Sequence, residues 1–168
     1  MKLLPLSKDL PEGALELVDD LGEGERGFGG RRPGTTSQDF IDRQIANADQ
    51  ATLPSNRVQQ FSYFLLDDSD YVVGFVKIRP RLNDQLLVIG GNVGYYVKKD
   101  QRSKGYGNEA LRLALEELRK FGVTRALVTA WAENERSNKV IANHGGVLES
   151  IFSDAKGQRF NRWWITLD

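Results

Sequence analysis

Apolar and polar positions follow different rhythms along the chain, and those rhythms predict its elements. Leu3 and Leu4 suit a short first strand. After Pro11-Glu12-Gly13-Ala14, a favourable helix start, Leu15, Val18 and Leu21 recur at helical spacing. Gly22 to Gly34 is rich in glycine and charge and reads as a mobile loop. Thr36 or Ser37 suits the N-cap of a helix carrying Phe40, Ile41, Ile45 and Ala48. After a break at 54–57, Phe61 to Leu66 and Tyr71 to Ile78 read as two strands of a hairpin, with Asp67-Asp68-Ser69-Asp70 as the turn. Residues 79–91 show no clear pattern. Asn92 to Val97 is an apolar strand, and Gly107 to Phe121 is the clearest helix, with Leu111, Ala114, Leu115 and Leu118 in one stripe. A short buried strand over 126–130, a short helix over 137–143 and a final antiparallel pair, 147–153 and 159–167, complete the chain. This order predicts an α/β (α+β) fold: a mixed, mostly antiparallel sheet with helices on both faces, in a single domain over 1–168.

The junction between the apolar strand and the long helix carries the chemistry. Arg102-Ser103-Lys104-Gly105-Tyr106-Gly107 opens the helix. Amides at a helix start point at whatever precedes it, and the helix dipole favours negative charge there. Gly105 and Gly107 present no side chain to hold a phosphate away and tolerate positive φ. Arg102 and Lys104 add positive charge. The segment therefore reads as a pyrophosphate cradle. It is not a P-loop, because no Gly-Lys-Ser/Thr follows at the required spacing. Gly105-x-Gly107-x-x-Ala110 also fails as a dinucleotide fingerprint. The first glycine does not directly follow the strand, and no carboxylate ends the next strand about 20 positions on.

The same residues resemble the R-x-x-G-x-G/A signature of the GNAT superfamily of N-acetyltransferases. The run from Asn134 to Gly146, with Ser137, Val140 and Ile141, is similar to that family's N-x-x-S-x-x-V-I-x-x-x-G-G/F motif. Ile78-Arg79-Pro80-Arg81-Leu82-Asn83 and Gly90-Gly91 resemble a bacterial subgroup of predicted acetyltransferases. The resemblance spans about residues 60–166. It implies acetyl-CoA as co-substrate, without a metal. It also implies a cofactor site formed by Tyr95, Tyr96, Val97, Arg102, Ser103, Lys104, Gly105, Tyr106, Gly107 and Asn134, with the strand 95–97 acting through its main chain. Gly94 would permit a bulge that opens a cleft. Asn134 also suits a helix cap.

Composition narrows the function. The 168 residues carry no net charge and no cysteine. Zero net charge and the lack of a basic stripe disfavour nucleic acid as partner. The lack of cysteine removes disulfides, thiolate metal sites and cysteine nucleophiles. No apolar run reaches membrane-spanning length, and no long apolar leader opens the chain, so a cytoplasmic location and no membrane partner are the expectation.

The acid and base are not legible. In the family a tyrosine after the asparagine protonates the departing thiolate; the matching position here is Ile141. Candidates are Tyr96, Tyr106, Glu133 and His144, the only histidine. Each also has a plain structural reading as core, solvated charge or helix C-terminus. The expected reaction is direct transfer of an acetyl group to a primary amine of a small molecule or peptide, by a monomer or homodimer. A catalytically weakened acyl-CoA sensor or interaction module is the alternative. Glu23 and Glu25 could attract an amine cation, and Arg159 to Trp164 could line the acceptor cleft or form an interface. Arginines there would favour an anionic acceptor instead.

Overall fold

The computed structural model describes residues 1–168. In chain order the elements are β1 (Lys2–Pro5), α1 (Ala14–Leu21), β2 (Gly24–Glu25), β3 (Phe28–Gly29), α2 (Ser37–Ala46), β4 (Phe61–Leu66), β5 (Val72–Ile78) and α3 (Asp84–Val88). They continue with β6 (Val93–Val97), α4 (Tyr106–Lys120), β7 (Arg125–Trp131), α5 (Glu135–Asn143), β8 (Val147–Ser153) and β9 (Arg159–Thr166). Strands β1-β4-β5-β6 form one antiparallel sheet and β7-β9-β8 another. The sequence anticipates nearly all of these elements; β2, β3 and α3 are the additions.

Two apolar clusters cover opposite faces. Strand alternation sends Val76, Ile78 and Val93 toward α4, where Ala110, Leu111, Ala114, Leu115 and Leu118 form the predicted stripe. Phe64, Phe75 and Tyr96 face the other way, against Leu17, Val18 and Leu21 of α1 and Phe40 and Ile41 of α2. In α1 it is Leu17, rather than the expected Leu15, that joins the buried stripe; Leu15 is exposed. Helix α2 starts at a full capping box between Thr36 and Asp39.

The segment expected to be a mobile loop is a small ordered hairpin. Arg26 and Gly27 both take positive φ, 46° and 87°, as a two-residue hairpin turn requires. Phe28 anchors it, with its ring centroid 6.0 Å from Phe75 and 5.9 Å from Tyr96. Burial of one aromatic ring overrides the loop-forming composition around it.

Asn92 and Leu127 join the two sheets by hydrogen bonds. Asn92 donates its backbone N–H to the Leu127 carbonyl at 2.8 Å, and its side-chain oxygen accepts the Leu127 N–H at 2.8 Å. Its amide nitrogen donates to the Arg79 carbonyl at 2.8 Å. Beyond this brace β6 and β7 diverge. The expected bulge at Gly94 is absent, since the β5–β6 register runs unbroken. Gly94 instead makes room for Phe28, whose ring lies 3.5 Å from where a Cβ would stand.

Candidate active site

Between the diverging strands lies a cleft of about 780 Å³. Its walls follow from strand alternation. Arg79 N–H bonds Asn92 O, and Lys98 N–H bonds Val73 O. These bonds make Lys77–Gly94 and Phe75–Tyr96 the hydrogen-bonded pairs of the ladder, so Val93, Tyr95 and Val97 turn their peptide groups outward. On the facing strand, bonds from Ala132 to Arg159 and from Leu167 to Thr124 set the same alternation, so Thr129 faces the cleft. The expected main-chain role therefore falls to Tyr95 and Val97. The main chain of Tyr96 is committed to Phe75.

The cradle stands at the end of this cleft. Ser103 and Gly105 both take left-handed backbone, φ 65° and 84°, and no side chain caps α4. None of the backbone N–H groups from Arg102 to Asn108 finds an acceptor in the chain. A helix start normally leaves its first few amides unpaired; here the run extends back through the loop. Consecutive amides in such turns form an anion-binding concavity. Gly107 lies in the first turn of α4, where a Cβ would stand 3.7 Å from Tyr95 and Val140.

The side chains divide. Ser103, Gly105, Tyr106, Gly107 and Asn134 line the cleft, whereas Lys104 bonds Gln101 at its edge. Arg102 departs from the expectation that its charge stands free beside the amides. Its Nε donates to Val97 O at 3.0 Å, its terminal nitrogens pair with Glu25, and the group lies 5.3 Å from the centre of the Tyr96 ring. Asn134 caps α5 by accepting the Ser137 N–H, and also accepts a bond from Arg26 at 3.2 Å.

The four proton-transfer candidates separate by position. His144 and Glu133 do not line the cleft. His144 is held by the Val140 carbonyl at 2.8 Å, and Glu133 accepts from Gln158. Tyr96 donates its hydroxyl to Asp20 at 2.7 Å. Burial, that bond and the Asp20 charge push its pKa up, so it holds its proton. Tyr106 lines the cleft with no hydrogen bond from its hydroxyl. Ile141 is fully buried and serves the core.

Sequence reasoning missed three features here. The Tyr95 hydroxyl meets the Ser137 hydroxyl at 2.9 Å in the cleft wall, and burial raises the Tyr95 pKa. The Trp131 indole N–H is buried against the cleft with no partner. Lys77 and Arg79 also line it, from the face opposite α4. Of the residues proposed for the acceptor side, Glu25 is paired with Arg102, Glu23 lies outside, and only Phe160 of the 159–164 segment reaches the cleft. Trp163 donates to Asn138 and Trp164 to Glu149, on opposite faces of β9.

The model of the acetyltransferase (GNAT) domain matches residues 7–147. The chain belongs to the GNAT acetyltransferase family. Solved structures agree in fold. A GNAT acetyltransferase from Streptococcus pneumoniae superposes with a TM-score of 0.65 at 19% identity, covering 99% of this chain and 100% of that one. YncA from Salmonella typhimurium, solved with its cofactor acetyl-CoA, gives 0.67 at 13% identity, covering 93% and 89%. A chimera of spermidine N-acetyltransferase SpeG from Vibrio cholerae with hSSAT gives 0.69 at 13% identity, covering 99% and 96%. A search of curated proteins finds no match to the sequence. No helix of this GNAT chain is long and apolar enough to cross a membrane.

Proposed function

We propose that the chain moves an acetyl group from acetyl-CoA to a primary amine of a small molecule or peptide, by direct attack in a ternary complex. The observation that carries this reading is the unbroken run of unpaired backbone amides from Arg102 to Asn108. They suit a pyrophosphate, which needs several convergent donors and no side chain in its way. The outward peptide groups of Val93, Tyr95 and Val97 suit an amide-bearing arm, which would bond to them as a strand would. The orphaned Trp131 N–H adds a donor on the opposite wall. Bound acetyl-CoA supplies the acyl group as a thioester.

The protein's part is to hold, orient and move protons. With no cysteine in the chain and no Ser-His-acid arrangement, a covalent enzyme intermediate has no evident nucleophile. Outward N–H groups of the β6 edge are the donors for charge that develops on a carbonyl oxygen. The Tyr95–Ser137 hydroxyl pair is our proton donor to the departing thiolate, in place of the tyrosine that Ile141 replaces. Neutral phenol at physiological pH, favoured by burial, supports that role.

Two measurements test the proposal. Calorimetric titration with acetyl-CoA should show micromolar binding. Release of free thiol with an amine panel should exceed the hydrolysis background, and every thiol counted belongs to coenzyme A because the chain has none. Binding without turnover on any amine would instead favour an acyl-CoA sensor, the reading that Ile141 motivates.

A further inference from the structure

The buried end of the cleft is cationic and has no counter-charge of its own. Lys77 stands on β5, opposite Gly94. It shares a face with Phe75 and Tyr96, away from α4 and the cradle. The residue is only 7% exposed. Its ammonium donates to the Gly29 carbonyl at 3.3 Å and lies 4.2 Å from the centre of the Phe28 ring, with Phe40 and Phe75 farther out. Arg79, two residues on and on the same face, donates Nε to Gln60 and Nη1 to the Gly91 carbonyl. Its other terminal nitrogen makes no bond in the chain. Arg43 of α2 stands behind them, bonded to the Gly30 carbonyl.

No carboxylate reaches any of the three: every ion pair of the protein lies elsewhere. Glu25 is the one carboxylate in the cleft lining, and it is paired with Arg102. Buried charges are ordinarily paired, because desolvation penalises an isolated one heavily. Here burial acts first, and neighbouring cations add to it: Arg79 and Arg43 on Lys77, and Arg57 on Arg79. Together they push Lys77 down to about 7 and Arg79 to about 10. Carbonyl dipoles and aromatic faces soften the cost without supplying a negative charge. A small oxyanion entering this end would meet one ammonium and one half-free guanidinium, both desolvated, where charge-assisted bonds are strongest.

We propose that Lys77 and Arg79 bind an oxyanion, in the first instance a carboxylate, carried by the amine acceptor, so that the preferred acceptors resemble amino acids rather than polyamines. This inference rests on the acetyltransfer reading for the word acceptor. The anion site itself does not.

Decarboxylation pairs test it, because each member keeps the primary amine: ornithine and putrescine, arginine and agmatine, phenylalanine and phenethylamine, alanine and ethylamine. Taurine paired with ethylamine, and aminomethylphosphonate with methylamine, separate a carboxylate from other oxyanions. Binding is read as thermal stabilisation of the CoA-saturated protein, and turnover as thiol release. We expect at least one anionic member to stabilise the protein and to exceed its partner at least tenfold in kcat/KM. That preference should collapse in Lys77→Met and Lys77→Gln, with cooperative melting of each variant as the check that the fold is retained. Equal or better use of the anion-free members overturns the inference. So does an unchanged preference in both variants, or a panel in which no member binds. Anion-selective binding without turnover leaves the site standing and removes the acetyltransfer reading instead.

Discussion

Arg102 and Glu25 form an ion pair between residues 77 positions apart, and through it the loop that opens α4 is tied to the β2–β3 hairpin. Because Arg102 also bonds the Val97 carbonyl, one side chain joins the cradle, the edge of β6 and the hairpin. A positioning role predicts that Arg102→Ala and Glu25→Gln weaken acetyl-CoA binding in the same direction, each by about 1–2 kcal/mol. A direct phosphate ligand predicts the opposite for Glu25→Gln, since a freed arginine would bind phosphate better. Calorimetry on the two single variants and the double variant decides.

The cradle glycines should respond differently to substitution. Gly105 takes left-handed backbone with open space beside it, so Gly105→Ala strains the turn and should cost about 1 kcal/mol of stability. Gly107→Val meets Tyr95 and Val140 at ordinary distances, so the fold should hold. Its branched side chain projects toward the cleft, and affinity for acetyl-CoA should fall at least tenfold. An unchanged dissociation constant would place the pyrophosphate elsewhere.

Lys77 gives the protein a pH signature. Burial first, then Arg79 on β5 and Arg43 on α2, lower its pKa from 10.5 to about 7. Between these two values the unfolded chain binds more protons than the folded one, so stability rises with pH across that window. The penalty is complete below about pH 7 and gone above 10.5. Lys77→Met removes it. Melting at a series of pH values should show the variant more stable by roughly 3–5 kcal/mol near pH 6, with the gap closing toward pH 10. A pH-independent gap would mean that Lys77 titrates normally.

The hydroxyl pair should act on the chemical step alone. Tyr95→Phe removes the bond to Ser137 and should lower kcat by about 100-fold, while leaving the dissociation constant for acetyl-CoA within twofold. Tyr106→Phe is the control and should do little to kcat. Equal losses in both, or a loss only for Tyr106, would move the proton donor to Tyr106.

Asn92 braces two strands through its backbone and its side chain. Asn92→Ala strips a buried partner from the Leu127 N–H. Thermal or urea unfolding should record a loss of about 2–4 kcal/mol.

What could be read in the sequence was local. The stripe of Leu111, Ala114, Leu115 and Leu118 and the turn at Gly105 depend on neighbours within a helical turn or two, so spacing displays them. The partners of Arg102 lie far away in sequence, and nothing near Arg102 announces Glu25. Lys77 interrupts a strand whose residues are all buried. A single lysine in such a run reads as a solvated edge until the packing of Phe28 and Phe40 around it is known. The hairpin was hidden for the same reason. Arg26-Gly27 is a weak turn signal, and Phe28 finds its ring partners on β5 and β6.

The diverging strands have a consequence for the protein's lifetime in the cell. Val93 and Tyr95 on one side and Thr129 on the other present peptide groups that no neighbour in the chain satisfies, and Val97 adds its N–H, its carbonyl being held by Arg102. A peptide-like arm laid between them would complete a ladder that folding alone leaves open. Occupancy then becomes a contribution to global stability that grows with the logarithm of ligand concentration. Metabolic supply of the acyl donor would set how long the folded chain survives, and amide exchange at these four positions, fast without coenzyme A and slow with it, would record the linkage directly.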